Sequence, residues 1–368
     1  MAAIKVKRLQ LTQSRITGID GLRGLAVLLI VFFHYVTTAI DPSSNEYAKT
    51  LFKLSFYFNS GVDLFFIISG FLITRKLCSS ILTLDSLKSY LWGRARRILP
   101  LYYLGLLVCG WIFYLGMGAD TVWYYSEEVP WYSYIIFLQN EWMGWTGSMG
   151  SRLMSIYWSL GIEVQFYLIA PIIMFIMKPR MRIIFLSLAI ISSIFFRIYD
   201  GTLIGSYTHF FCRMDSLFAG AFIAILSVNG NWMKSILSKV RIWEIMVLIF
   251  LFITIALSFN YFIIPGYLIS TFFILLYSGL LLLQLTEKGS FFDFSNNGFF
   301  RFFGRYSYGI YVWHEIIRFS VFQIFTSDLP RFSCYYSCFL TLISALLTLI
   351  VAVVFYHLLE VKWLSNHN

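Results

Sequence analysis

Charge is scarce in this chain. Asp, Glu, Lys and Arg make up 12% of its 368 residues, about half the share of an ordinary soluble domain. So little charge excludes a large water-facing surface. Cysteine is sparse too, at five. Cys78, Cys109 and Cys212 fall in or beside apolar runs, and Cys334 and Cys338 lie one helical turn apart. Those spacings exclude a disulfide framework and match no metal-ligand pattern. With seven prolines there is no Pro-rich linker between domains. The chain also lacks a P-loop, an internal repeat and a low-complexity tract.

Apolar sequence is what the chain has in excess. Hydrophobic residues reach 59% and aromatics 20%, and mean hydropathy is +0.75. A bilayer core takes about 20 apolar residues per helix. Ten runs qualify: 18–38, 54–74, 98–117, 155–177, 182–200, 208–228, 242–260, 264–285, 303–323 and 336–358. The expected fold is an all-α polytopic transmembrane bundle, one integral membrane domain over 1–368. The stretch 131–139 is apolar but short, and reads as an interfacial or re-entrant piece. The basic N-terminus resembles a signal peptide, but its apolar run is interrupted by Arg23 and His34 and has no small-residue cleavage site. It reads as a retained first span.

Lysines and arginines set the orientation. With the N-terminus cytoplasmic, 21 of the 28 fall on the inner side. Lys49, Lys53, Arg152 and Arg331 fall in outer loops, and Arg197, Arg213 and Arg318 within spans. Both termini are therefore expected inside, with 1–17 and 359–368 as cytoplasmic segments. The net charge of +10 follows from this asymmetry, and no nucleic-acid partner is expected. The longest outer loop, about 118–154, carries Trp123, Trp131, Trp142 and Trp145. Such rings suit either an interfacial belt or the faces of sugars.

Ionisable groups inside spans are costly and usually functional. Arg23 and His34 are eleven residues apart in the first run, about 16 Å and three turns along a helix, on nearly one face. Arg23 is expected at the inner rim and His34 near mid-bilayer. Counted from Arg75, Asp63 comes out about as deep as His34, and could orient its ring. His314 lies slightly nearer the inner side, and Glu163, counted from Lys178, falls in the outer third. Arg213 and Asp215 share an outer depth and read as a structural pair. Arg94, Arg96 and Arg97 open the third span. They satisfy the positive-inside rule, and their guanidinium forks also suit phosphate oxygens.

Six stretches in this order carry a resemblance: DGLRGLAVLLIVFFH (20–34), GVDLFFIISGFLIT (61–74), RARRILPLYY (94–103), WSLGIEVQFYLIAPI (158–172), RMDSLFAGA (213–221) and SYGIYVWH (307–314). Together they resemble the acyltransferase-3 family of integral membrane O-acyltransferases over almost the whole chain. The resemblance implies a cytoplasmic acyl-coenzyme A as co-substrate, acetyl by default, with no bound cofactor and no metal. It also implies an acceptor hydroxyl, often on a saccharide, reached from the outer face of a bacterial cytoplasmic membrane. The family's arginine–histidine pattern falls on Arg23 and His34, its third-span arginines on Arg94 and Arg96 with Arg97 beside them, and its fourth-span acid on Glu163. Some members carry a further span and an SGNH-type hydrolase domain beyond the position where this sequence ends. A separate extracytoplasmic partner is expected for any second transfer.

These readings combine into one expectation. Arg23, Arg94, Arg96 and Arg97 hold the donor phosphates. His34 acts as general base or as nucleophile, Asp63 orients it, and Glu163 serves the acceptor. Arg213, Asp215 and His314 are supporting polar groups. A transporter or flippase of an anionic or glycan substrate is the competing class, since intramembrane charges above a basic vestibule suit anion passage. Against it stands the lack of paired broken helices or inverted repeats.

Overall fold

The computed structural model describes residues 16–79, 83–114, 128–228, 230–261, 263–286, 289–326 and 328–361. Trp123, most of the 1–17 segment and the end of the tail lie outside them. Among the described residues the chain is helical, with no strand.

The first crossing is α1, Thr17–Phe32, which continues into a π-helical turn at Phe33–Thr37. Next comes α2, Glu46–Ser55, capped by the Asn45 side chain accepting from the Ala48 amide at 2.8 Å. A 3₁₀ turn, Phe56–Ser60, joins it to α3, Gly61–Ser79. Helix α4, Leu84–Tyr114, is interrupted by Pro100, whose ring removes the bond to the Arg96 carbonyl. Two short helices follow, α5 at Trp131–Ile135 and α6 at Gln139–Thr146. The first of them occupies the start of the 131–139 stretch expected to be interfacial, the second begins where that stretch ends, and Trp131, Tyr132 and Trp145 are exposed on them.

Helix α7 is Trp158–Ile176, and α8 is Pro179–Asp200 with proline in its first turn and Gly201 left-handed (φ 64°) at its end. Next are α9, Leu203–Thr208, α10, Phe210–Val228, and α11, Gly230–Leu237. Helices α12, Val240–Ser258, and α13, Gly266–Gln284, form a packed pair. The last two are α14, Gly298–Thr326, and α15, Tyr335–Phe355.

Nine helical segments among the described residues are long and apolar enough to cross a membrane. The chain is an integral, multi-pass membrane protein. The tenth expected crossing, 303–323, lies within α14. That helix has the length but is too polar to meet the same criterion, because it carries Arg301, Arg305, His314, Glu315 and Arg318.

Burial divides the helices. In the segment holding α9 and α10, 72% of the most apolar window is buried, against 22% in α8. The core therefore runs along α3, α10 and α14, while α4, α8, α12 and α15 present leucine, isoleucine and phenylalanine outward. Lipid tails are as apolar as those side chains, so close backbone packing must hold the centre together. Glycines make it possible at two crossings. Where α1 meets α14, a Cβ on Gly24 would strike the Phe300 carbonyl, and one on Gly304 the Asp20 carbonyl. Where α3 meets α10, Gly70 abuts the Leu217 carbonyl and Gly220 the Ile67 carbonyl.

A methyl group at Gly304 has only backbone to push against, so Gly304→Ala should cost about 1–3 kcal/mol through overpacking. Gly110→Ala, which meets nothing within 4 Å, should be neutral or slightly stabilising. Unfolding midpoints of the two variants in detergent check the contrast.

Candidate active site

Arg23 sits one and a half turns into α1 and Arg97 near the middle of α4. Their side chains meet Glu163 of α7 and Ser69 of α3 around a cavity of about 50 Å³. Glu163 Oε1 accepts from Ser69 Oγ and from the Tyr167 hydroxyl, each at 2.6 Å. The Arg94 guanidinium lies 5.6 Å from the centre of the Tyr167 ring. Arg23 Nε is buried and has no hydrogen-bond partner among the described residues. A guanidinium nitrogen left in that state is a ready donor to an anionic oxygen.

Tyrosines of α14 line the far wall of the cavity. The Tyr308 hydroxyl donates to the Ile98 carbonyl at 2.8 Å. The Tyr311 hydroxyl lies 2.6 Å from Ser159 Oγ and donates to the Ile156 carbonyl at 2.8 Å. Next along the helix, the Tyr311 and His314 ring centres are 5.6 Å apart, and those of His314 and His34 are 5.1 Å apart. The basic cavity is thus joined to His34 through two rings in sequence.

His34 stands on the π turn that ends α1, where the Thr38 amide reaches back to the Phe33 carbonyl at 3.0 Å. Such turns are frequent at functional sites because they re-aim side chains. Its Nδ1 is 3.4 Å from Glu315 Oε1, and Glu315 Oε2 is 3.3 Å from an Arg318 nitrogen. Arg318 donates to Thr38 Oγ1 at 3.1 Å. Tyr35 donates to the His314 carbonyl at 2.8 Å and pairs with Thr348. His314 is fully buried and Glu315 nearly so, while the His34 side chain keeps 24% of its surface. The donor atoms of His34, His314 and Glu315 lie within 4.8 Å of one another, a spacing that a metal ion could bridge. The Arg318 cation already rests against that carboxylate and opposes a second positive charge.

Several expected placements change. Glu315, not Asp63, faces His34. Asp63 instead accepts from Arg213 and Ser216, both at 2.8 Å. Counting residues along a helix leaves the direction around the axis open. Asp215 does not pair with Arg213. It binds Arg197 of α8 at 2.7 Å, because residues two apart on a helix point to opposite sides. Arg213 also donates to Ser270 and lies over the Trp158 and Tyr207 rings. Glu163 shares the Arg23 cavity rather than lying beyond His34. Its depth count took Lys178 and Arg23 to mark the same surface, yet Arg23 is inside the bundle. Arg96 turns away from the cavity and stacks at 4.8 Å on Trp92, which is exposed.

The sequence reading passed over Glu315. Its signal was the Glu315–Arg318 spacing on one face of a polar span. A second polar cluster was also missed. His209 Nδ1 is 2.7 Å from Glu141 Oε2, and its Nε2 is 3.4 Å from Asp200 Oδ2. These contacts fasten α6 to the start of α10.

The sequence model of the acyltransferase-3 family, described as an acyltransferase domain, matches residues 16–357. The chain belongs to this family. A Staphylococcus aureus (strain COL) protein, provisionally named an O-acetyltransferase, is 26% identical over 90% of this chain and 55% of its own length. A Bacillus subtilis protein, YrhL, provisionally named a peptidoglycan O-acetyltransferase, is 30% identical over 46% of this chain and 26% of its own. The peptidoglycan O-acetyltransferase OatA of Listeria monocytogenes is 30% identical over 42% of this chain and 24% of its own. The chain thus spans about half the length of the first of these relatives. No solved structure matches.

Asp63 and Arg213 make a prediction that separates structure from chemistry. Asp63→Ala leaves the Arg213 cation buried without its carboxylate and should cost about 3–5 kcal/mol. Replacing both by leucine should recover much of that loss. Unfolding midpoints of the single and double variants measure both effects.

Proposed function

We propose that the protein is a membrane O-acyltransferase. It moves an acyl group, acetyl in the first instance, from cytoplasmic acyl-coenzyme A to a hydroxyl of an extracytoplasmic cell-envelope saccharide. The observation that carries this reading is that Tyr311, on the wall of the Arg23–Arg97 cavity, begins a row of packed rings that runs through His314 to His34. Eleven residues of α1 separate Arg23 from His34, about 16 Å. A pantetheine arm has comparable length, so one donor held by its phosphates at Arg23, Arg94 and Arg97 presents its thioester near His34. The lysine and arginine asymmetry supports a cytoplasmic donor side, and with it a bacterial cytoplasmic membrane. The saccharide acceptor is supported by the relatives' names and by the exposed Trp131 and Trp145.

The transfer follows from these groups. The imidazole of His34 takes the proton of the acceptor hydroxyl as its oxygen attacks the thioester carbonyl. The carbon–sulfur bond breaks, the ester forms, and the imidazolium returns the proton to the departing thiolate. Glu163, held by Ser69 and Tyr167, lies on the donor side of this path and offsets the charge of Arg23 and Arg97. A flippase needs an opening at both ends in turn. Here ion pairs cross between the central helices, and they favour a fixed path over a moving gate.

Removal of the base should be severe. His34→Ala should lower transfer from radiolabelled acetyl-coenzyme A to a saccharide acceptor by about 10²–10⁴-fold. Full activity in that variant would sink the assignment, and uptake of unmodified substrate into vesicles would favour a transporter. Arg97→Ala should weaken the donor selectively. The expected result is a rise of about tenfold in the apparent KM for acetyl-coenzyme A, corresponding to the loss of one charge-assisted contact, with little change for the acceptor.

A further inference from the structure

Glu315 is a carboxylate buried in the middle of a polar helix, with its two oxygens facing different partners. Oε2 lies against Arg318 at 3.3 Å. Oε1 accepts no hydrogen bond among the described residues, and His34 Nδ1 stands 3.4 Å from it, at ion-pair distance. A buried carboxylate oxygen without a donor is strongly disfavoured. The neighbouring imidazole on the same helix cannot supply one while it is neutral. His314 Nδ1 lies 2.7 Å from the Tyr311 carbonyl, an acceptor only, so that nitrogen carries the proton and Nε2 is bare. The bare Nε2 is itself buried without a partner. Among the described residues, His34 Nδ1 is the ring nitrogen facing Glu315 Oε1, and a small closing of the 3.4 Å gap would let it supply the missing donor.

We infer that Glu315 is the positioning residue of His34: it holds the proton on Nδ1 and leaves the Nε2 lone pair as the base. The inference concerns the proton arrangement of the ring, and its effect on rate rests on the acyltransferase reading above. Three features fix the geometry. Arg318 pins the carboxylate from the next turn of α14 and also grips Thr38 beyond the π turn. Tyr35, next to His34, is tied to the His314 carbonyl and to Thr348. The His34 ring keeps partial exposure, while Glu315 does not. During transfer Glu315 stays ionised. His34 Nε2 takes the hydroxyl proton, the imidazolium is stabilised by the carboxylate beside it, and the same proton leaves with the thiolate.

The test has two independent readouts on the full-length protein in lipid. In the first, the protein carries ¹⁵N-labelled histidine, and the His34 ring signals are identified by their loss in His34→Gln. The expected spectrum of the unmutated protein shows a protonated Nδ1, and Glu315→Gln alters that protonation. An unprotonated Nδ1 in the unmutated protein overturns the proposal. So does a His34 spectrum that Glu315→Gln leaves unchanged. The unmutated spectrum decides even where Glu315→Gln fails to assemble, and it does not require that any acyl transfer be detected. The second readout is kinetic. Glu315→Gln should lower kcat by about 10²–10⁴-fold, the scale of a base held in the wrong tautomer, with the KM for acetyl-coenzyme A unchanged. Glu315→Asp should restore part of kcat. A raised KM with unchanged kcat would overturn the role.

Discussion

A charge inside a bilayer must find a counter-charge, and the architecture of this protein follows from that demand. Three guanidinium groups lie deep in the bundle with carboxylates beside them: Arg213 with Asp63, Arg197 with Asp215, and Arg318 with Glu315. The first two pairs bridge different helices, fixing α3 to α10 and α8 to α10. The third stays within α14, and its carboxylate reaches out to His34 on α1. Pairs of this kind contribute little net stability compared with apolar packing, but removing one partner is heavily penalised. They therefore specify which helices neighbour one another and at what rotation. Arg23 departs from the pattern. Among the described residues its Nε lacks a hydrogen-bond partner, and no carboxylate lies as close to Arg23 as those beside the other three. A cation kept partly unsatisfied in a cavity is poised for an anionic ligand.

That distinction explains why some features were legible in the sequence and others were not. Hydropathy reveals crossings because a span of apolar residues has few alternatives. It located all ten long helical runs, including α14 despite its charges. Arg23 lies on α1 and His34 on the π turn that continues it, so the count along one regular helix does not include the turn's extra rotation. What the count could not supply was the direction around each axis. Asp63 was expected at the depth of His34, yet it points to α10. Glu163 failed for a related reason: helices begin and end at different heights, so depths measured from Lys178 and from Arg23 do not share an origin. Arg213 and Asp215 are close in sequence, but helical geometry sends them to opposite sides.

Close packing supplies the rest of the alignment. Gly24 and Gly304 let α1 and α14 approach until backbone meets backbone. Those two helices carry Arg23, His34, Tyr311, His314 and Glu315 between them. A side chain at the crossing would push α1 and α14 apart, and with them the residues that they carry. The π turn at the end of α1 then adds a local rotation that the regular helix cannot provide. Sequence alone does not announce such a turn, because Phe33–Thr37 carries no glycine or proline to mark a break.

One consequence concerns how chemistry can cross a membrane without a moving gate. The basic cavity lies toward the start of α1, and His34 lies toward its end, where its ring retains contact with the surroundings. Between them stand the rings of Tyr311 and His314, packed against Ser159 and Tyr35. On the function proposed above, a donor anchored on one side would extend a thin arm toward His34, and a bulky acceptor would approach from the other. The reactants would then meet without either passing completely through. Such a design places a high demand on the helix that spans both halves, because the anchor and the base must keep their separation. α1 meets it through its continuous hydrogen bonding between Arg23 and His34, its glycine contact with α14, and the tether of Tyr35 to Thr348 on α15. On the proposed function, the rigidity of α1 would be part of the chemistry, since it would set the distance that the donor must match.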